Sequence, residues 1–431
     1  IKKTFEWELE TLGTDYADFG FLHCVDENED FHKLIEIGLL DYLKKLKADG
    51  VIRHIGFSSH TPSVANRIIE DYKKGNDVIV VVSAQGDTTD DLIEKAKEIN
   101  PNASKREMDM LLSAGEQISI ALLAMAIEKQ GLPVCSLLGW QAGVHTDAIY
   151  GNSRIRRVDT ERMTAELSKH NILIVAGFQG INKFDDITTL GRGGSDTSAV
   201  SLAVALKAEK CQIFTDVDGV YTADPRIVKN AQKLDEINYN EMLELATLGA
   251  QVLHNRSVEM AQKYAVELEV LSSITNNKGT IVKENVEVEK TIIRGVAKDD
   301  NIARISIVGL QDVPGVAFKL FDRLAQKRVN VDIILQSVGR DGTKDITFTV
   351  SRDQQEVAME VVTAFDPQAK VSCDNNISKV SIVGSGMESH PSVAAKMFEA
   401  LYDAGINIHM IATSEIKVSV LIDEKSADKA V

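Results

Sequence analysis

The sequence is poor in cysteine and in positive charge, and it contains no long uninterrupted apolar run. Its four cysteines, Cys24, Cys135, Cys211 and Cys373, stand far apart without a C-x-x-C pair. That spacing indicates neither a zinc cluster nor a disulfide framework, and it fits a reducing, cytoplasmic setting. Lys and Arg number 48 against 64 Asp and Glu, a formal net charge of -16. So acidic a chain is unsuited to broad binding of nucleic acid or anionic membranes, which require a basic surface against phosphates. A phosphate ligand would have to be met locally, by a few aimed cations, backbone N–H groups and magnesium. No run of about 18 apolar residues marks a membrane span. The start, Ile1-Lys-Lys-Thr-Phe-Glu-Trp-Glu8, lacks the pattern of a signal peptide, and both chain ends read as cut.

What is present is an ordinary globular composition, 44% hydrophobic over 431 residues, enough for about three domains. Residues 1–62 read as a strand at 18–23, an amphipathic helix at 31–48 and a second strand at 51–59, one β-α-β unit. From 63 to 274 an apolar strand runs three times into a polar or glycine-rich turn and then a helix, the grammar of a parallel-sheet α/β domain. The strands are Val78-Ile-Val-Val-Val82, Ile172-Leu-Ile-Val175 and Cys211-Gln-Ile-Phe-Thr-Asp216. Ligands of open α/β sheets bind beyond the carboxyl ends of the strands, so the turns after them are where chemistry is expected. Residues 275–300 are polar and read as a connection with one strand at most.

An internal repeat follows. Ile305-Ser-Ile-Val-Gly309 returns as Val380-Ser-Ile-Val-Gly384, and Pro314 to Ser337 returns 77 residues later as Pro391 to Ser414 with nine identities. Each copy reads as strand, loop, helix, strand, giving two small β-α-β modules at 301–372 and 373–431, the second shortened at its C-terminal end.

Four stretches carry candidate chemistry. The loop Gly191-Arg-Gly-Gly-Ser-Asp196 leads into an apolar helix. Its glycines allow close backbone approach, Ser195 or Thr197 could cap the helix, and Arg192 offers a fork for a carboxylate or phosphate. The same residues also suit a plain glycine turn with a surface arginine, and no Lys-Ser/Thr follows to make a Walker loop. Glu116 falls among apolar neighbours when a helix over 108–127 is drawn at its natural period. A carboxylate there is paired, protonated or at a ligand, unless it reaches solvent at a helix edge. In Ser83 to Thr89 the pattern Thr88-Thr-Asp-Asp91 suggests a hydroxyl helix cap or a small polar ligand site. Asp216 with Tyr221-Thr-Ala-Asp-Pro-Arg226 could cradle a nucleotide, or be only a turn.

In this order the motifs resemble those of the aspartate kinases, within the amino-acid kinase superfamily, and the tandem modules resemble a pair of amino-acid-sensing ACT domains. The resemblance runs from about residue 63 to the end. It implies an ATP-dependent phosphorylation of the aspartate β-carboxylate, with lysine or threonine as effectors and magnesium carried by the nucleotide. It places substrate at Ser83, Asp87, Thr88, Thr89, Glu116, Arg192, Gly193, Gly194 and Ser195, with Arg192 and Asp196 in catalytic roles. It places ATP at Thr215, Asp216, Tyr221, Asp224, Pro225 and Arg226. Effector contacts would be Asp312, Gly315, Ala317, Asn330, Asp332 and Gln336 in the first module and Asn407, Ile408, Ser414 and Glu415 in the second. A homodimer or larger assembly is implied by the paired sensors.

The chain departs from that family at its start. The family opens with a strand carrying Lys-Phe-Gly-Gly or a close variant for the ATP phosphates, and no such segment occurs here. Residues 1–62 instead resemble a fragment of an aldo-keto reductase barrel, through Leu12-Gly-Thr-Asp-Tyr-Ala-Asp18, His23 and Gly50-Val-Ile-Arg-His-Ile-Gly-Phe-Ser-Ser-His60. The junction falls within 62–69, and a catalytically impaired amino-acid sensor is the alternative reading.

Overall fold

The computed structural model describes residues 17–22, 42, 45, 46, 51–57 and 63–431, except 251, 276, 286–291, 339–341, 388, 389 and 391. Before residue 63, strands Ala17–Leu22 and Ile52–Phe57 pair in parallel, Ala17 opposite Ile52 and Leu22 opposite Phe57. The helix expected at 31–48 and His23 lie almost wholly outside the described residues, which retain only helical positions 42, 45 and 46 of it.

The kinase-like region is built from three sheets. At its centre strand Ile172–Ala176 is buried along its whole length and is flanked in parallel by Ile79–Val82 and Val134–Leu137. Five apolar residues in a row suit a strand covered on both faces. A small sheet, ordered Ile155–Val158, Val144–Thr146, Gln179–Ile181, Ile187–Thr189, carries the chain from the centre toward the glycine loop. The third is ordered Cys211–Thr215, Leu268–Ser272, Thr280–Lys283, Glu236–Asn238.

Helix Gly194–Leu206 joins the first sheet to the third: Leu202 packs in the cluster with Leu173 and Val175, while Val200 and Ala203 pack with Cys211 and Ile213. Strands Ile79–Val82 and Cys211–Thr215 are each the last strand of their sheet among the described residues.

The expected helix over 108–127 is two helices, Lys105–Leu112 and Ala114–Lys129, broken at Ser113. The Ser113 hydroxyl donates to the Met110 carbonyl, and the Ser113 carbonyl accepts from Nε2 of Gln179 at 3.0 Å. The ladder itself continues through this residue: the Ser113 N–H donates to the Asp109 carbonyl at 3.1 Å and its carbonyl also accepts from the Gln117 N–H at 3.4 Å. The stretch is long and apolar enough to cross a membrane by length and composition. It nevertheless buries Asp109, Glu116 and Ser119 and lies against the central sheet.

Both repeats form four-stranded antiparallel sheets with helices. The first sheet is ordered Ile334–Val338, Thr343–Val350, Ala303–Gln311, Lys370–Asp374, and the second Gly295–Asp299, Ile377–Val383, Lys417–Asp423, Met410–Thr413. This corrects the expected connection at 275–300. Thr280–Lys283 pairs with Leu268–Ser272 and Glu236–Asn238 in the third sheet, and Gly295–Asp299 pairs with Ile377–Val383 in the sheet of the second repeat. The first module therefore sits within the second in chain order. Its last strand also runs past the expected boundary, because Cys373 and Asp374 pair with Ile305 and Arg304.

Candidate active site

The carboxyl ends of Ile79–Val82 and Ile172–Ala176 lie side by side, with the Gly177 N–H donating to the Val82 carbonyl at 3.0 Å. That bond sets the Ser83 turn beside the Gly177 turn. Gly177 in turn faces Ser195: a Cβ at 177 would lie 2.8 Å from the Ser195 hydroxyl oxygen. Phe178 adopts φ +67°, donates its N–H to the Ser198 hydroxyl at 3.1 Å and accepts from Leu190 N at 2.8 Å. The glycine loop and the Ser83 turn, read separately from the sequence, thus lie side by side.

Glu116 enters from the second half of the broken helix. Gly115 permits the approach, since a Cβ there would lie 2.8 Å from the Ala84 Cβ. The Ala84 N–H donates to Oε1 of Glu116 at 3.1 Å. Glu116 is only 3% exposed, no Lys or Arg among the described residues pairs with it, and its Oε2 has no hydrogen-bond partner among them. Burial pushes its carboxyl above the ordinary range, opposed by the bond from Ala84. Of the alternatives left open by the sequence, the solvent-facing helix edge is excluded.

The glycine loop turns on Gly191 at φ +79° and Gly193 at φ +64°, a left-handed conformation that disfavours side chains. Between them Arg192 is exposed and without a hydrogen-bond or ion-pair partner among the described residues. The helix caps differ from expectation. Gly193 is the N-cap of Gly194–Leu206 and no side chain caps it; the Thr197 hydroxyl donates back to the Gly193 carbonyl instead. Asp87, not Thr88, is the N-cap of Thr88–Ile99, and the Thr88 hydroxyl donates to the Gln85 carbonyl. Ser83 and Asp87 are exposed and Thr89 half-buried at this mouth. Asp196 is held by the His254 N–H at 3.3 Å, and burial raises its carboxyl.

Two residues here escaped sequence reading. Asp109 is buried and accepts from the Gly151 N–H, the Thr189 N–H and the Thr189 hydroxyl, the last at 2.6 Å, so it anchors the strand that leads into the glycine loop. It lies seven residues before Glu116, two helical turns, a spacing that could have flagged it. His254 presses on the loop from the other side, where a Cβ at Gly193 would fall 2.2 Å from its own Cβ.

The second candidate set lies beyond strand Cys211–Thr215. The Thr215 hydroxyl donates to Asp216, and Tyr221 donates to Asp218 at 2.7 Å. Asp218 also accepts from Asn277 and Lys233, and the Tyr221 hydroxyl first, with these two, holds its carboxyl below the usual range against burial. Arg226 is exposed and engaged by Asp224 through Nε and Nη2, which leaves its charge largely compensated, and Pro225 is exposed beside it. No hydrogen bond or ion pair among the described residues joins this set to the Glu116 cluster; helix Gly194–Leu206 is the packed link. No group of three His, Cys, Asp or Glu among the described residues could hold a metal.

In the sensor modules Asp312 is paired with Lys344 at 2.7 Å, Gly315 is the N-cap of Val316–Gln326 at φ +91° with Ala317 in its first turn, and Asn330 donates its N–H to Gln354. Asp332 is bound by Lys379 of the second module at 2.6 Å, while Gln336 lies exposed on an edge strand. Asn407 and Glu415 are exposed, Ile408 half-buried, and Ser414 donates its N–H to Lys417.

Comparison with known proteins agrees with this architecture. The amino acid kinase family is matched over residues 55–272, beginning inside the segment read as reductase-like, and the ACT domain over 305–364 and 380–431. The aspartokinase of Geobacillus stearothermophilus is 52% identical over 378 residues, spanning 88% of this chain and 93% of that protein. The crystal structure of E. coli aspartokinase III with aspartate and ADP superposes with a TM-score of 0.73 at 23% identity, covering 85% of this chain and 94% of that one. The same enzyme with lysine and aspartate gives 0.59 at 23%, covering 99% and 93%. By sequence over most of its length and by fold, the chain belongs to the aspartokinase family.

Proposed function

We propose that this chain transfers the γ-phosphoryl group of ATP to the β-carboxylate of L-aspartate, giving 4-phospho-L-aspartate and ADP, under control of amino acids bound by the ACT modules. The observation that carries the reading is the buried Glu116 with one oxygen bonded to the Ala84 N–H and one without a partner among the described residues, on the turn that Gly177 links to Ser195. An amino-acid ammonium supplies the missing partner and the missing charge. Arg192, free on its glycine turn, takes a substrate carboxylate, and Ser83, Thr89 and Ser195 complete the pocket.

A β-carboxylate oxygen attacks phosphorus in line, the bond to the β-phosphate oxygen breaks, and ADP departs with the electron pair. Such transfers ask the protein for positioning and charge stabilisation rather than covalent work. Thr215, Asp216 and the 221–226 segment hold the nucleotide. Magnesium bound with the nucleotide would supply further offset of the phosphate charge. Asp196, held by the His254 N–H, organises the transfer centre from the helix N-terminus.

Lysine, threonine or both would be sensed through Asp312, Gly315, Ala317, Asn330, Gln336 and their counterparts in the second module. Strands Ile334–Val338 and Met410–Thr413 are both sheet edges with exposed apolar residues, Ile334 and Ile411, which supports assembly of two copies through the sensors. The half-buried or buried free thiols Cys135, Cys211 and Cys373 support a reducing, cytoplasmic setting.

A second reading, an amino-acid sensor without turnover, is favoured by the end strands Ile79–Val82 and Cys211–Thr215 together with the lack of a Lys-Phe-Gly-Gly segment. Aspartate-dependent release of ADP from ATP tests the kinase. ADP release equal with and without aspartate would overturn it.

A further inference from the structure

The N-terminus of helix Asn255–Tyr264 spans the glycine loop from end to end. Before the loop, Nη1 of Arg256 donates to the Leu190 carbonyl at 2.6 Å and to Oδ1 of Asn152 at 3.2 Å, and Nη2 donates to the Ser153 carbonyl at 2.9 Å. After the loop, the His254 N–H donates to Asp196. Between these anchors run Gly191, Arg192 and Gly193, closed by a turn in which Gly194 N–H donates to the Gly191 carbonyl at 3.0 Å.

Arg192 itself has no side-chain partner among the described residues, so where its guanidinium points is set by the backbone that carries it. That backbone passes through two glycines of positive φ and is soft there. Its upstream position is fixed by the Leu190 carbonyl, which Arg256 holds together with the 152–153 segment. Ser153 is in turn tied to the Thr189 carbonyl by its N–H and its hydroxyl, both at 2.9 Å. Three acceptors on two segments need a planar fork of donors; a lysine ammonium brings the charge without that geometry.

We propose that Arg256 is a positioning residue for aspartate: it fixes the Leu190 end of the loop and thereby aims Arg192 at the substrate carboxylate. The proposal rests on the kinase reading of this site and goes beyond it, since the side-chain bonds of Arg256 go to the Leu190 and Ser153 carbonyls and to Asn152. Nucleotide contacts on the 215–226 segment do not depend on it, so its loss acts on one substrate only.

The test is steady-state kinetics and calorimetric aspartate binding on the full chain with Arg256→Ala and Arg256→Lys, each with and without added guanidinium. For Arg256→Ala the aspartate KM should rise on the order of tenfold to a hundredfold, as sub-ångström to 1 Å misplacements do, with the ATP KM near the parent value. Guanidinium should recover part of the loss in Arg256→Ala, and Arg256→Lys should remain impaired. Aspartate and ATP KM rising together, or Arg256→Lys behaving as the parent, would overturn the proposal. Should Arg256→Ala not fold, Arg256→Lys decides by the same KM split. A parent chain that makes no product sinks the kinase reading alone, because aspartate affinity of parent and variants still tests Arg256.

Discussion

The Ala84 N–H and Oε1 of Glu116 are joined at 3.1 Å, a bond between the turn after one central strand and a helix 32 residues later. It brings a carboxylate into the interior while leaving its second oxygen for something else. Glu116→Gln keeps the acceptor for Ala84 and removes the charge. Burial raises the Glu116 carboxyl in the folded state. The folded protein therefore holds that proton more tightly than the unfolded chain, and stability falls as pH rises from the ordinary carboxylate range through the raised value. Glu116→Gln should melt higher than the parent at pH 8, with the difference shrinking toward pH 4, and should bind aspartate on the order of tenfold to a hundredfold more weakly. Calorimetric melting against pH checks the first outcome and titration with aspartate the second. A pH-independent difference in melting would remove Glu116 as the titrating group.

Arg192→Ala should raise the aspartate KM far more than the ATP KM, because the Arg192 side chain has no partner among the described residues and, in the proposed reading, takes the substrate carboxylate. Equal changes in the two constants would mean that Arg192 meets the nucleotide instead.

Gly193→Ala should be damaging beyond the loss of a flexible residue. The added Cβ would lie 2.2 Å from the Cβ of His254, and the residue keeps φ +64°. Either the loop or the start of helix Asn255–Tyr264 has to move, and both hold the Asp196 contact. Turnover should drop roughly a hundredfold or more, in line with small displacements in preorganised sites, and activity close to that of the parent would refute the packing described.

Lys379 is 3% exposed and paired with Asp332 of the first sensor module at 2.6 Å and with Asp299 at 3.5 Å. Lys379→Met leaves two carboxylates facing each other without a cation. Asp332 is 41% exposed and Asp299 24%, so water takes up part of the lost attraction; the cost is on the order of 1 kcal/mol, and urea unfolding of the sensor region should shift to lower denaturant by that amount. An unshifted midpoint would mean that the Lys379 pairs add nothing to the contact between the modules, leaving it to Arg352 with Glu424 and the Ile377 carbonyl and to the apolar contacts.

Helix Tyr239–Thr247 meets the second sensor module through Glu241, whose Oε1 accepts from the Ser385 N–H at 2.9 Å and its hydroxyl at 2.8 Å, and through Glu244, paired with Lys417 at 2.8 Å. The same helix packs on Asn255–Tyr264 through Met242, Leu245 and Val258. Glu241→Ala should weaken effector inhibition while leaving the uninhibited rate near that of the parent. Inhibition curves that coincide would exclude this seam as the route from sensor to site.

Much of this was legible before any coordinates. Ile172–Ala176 is a fully buried strand because it is a continuous apolar run, and the repeat announced two like sheets through identities such as Pro314, Asn330 and Ile334. Glu116 stood out because a charge on an apolar face has to be explained. What stayed hidden depends on partners far along the chain. The Ser113 carbonyl is shared with Gln179, 66 residues on, and Asp109 is explained only by Gly151 and Thr189, 42 and 80 residues on. Strand Gly295–Asp299 is polar enough to read as a linker, and only its pairing with Ile377–Val383 makes it part of the second module. Thr88 carried a capping pattern, yet the turn before it placed Asp87 at the cap. Local grammar names such residues; it does not choose among their long-range partners.

The most direct measurement incubates the full chain with ATP, magnesium, L-aspartate and hydroxylamine, which captures an acyl phosphate as it forms. Aspartyl hydroxamate should accumulate in step with ADP, and only when aspartate is present. Binding of lysine or threonine with no hydroxamate above the aspartate-free control would contradict the kinase and leave the sensor.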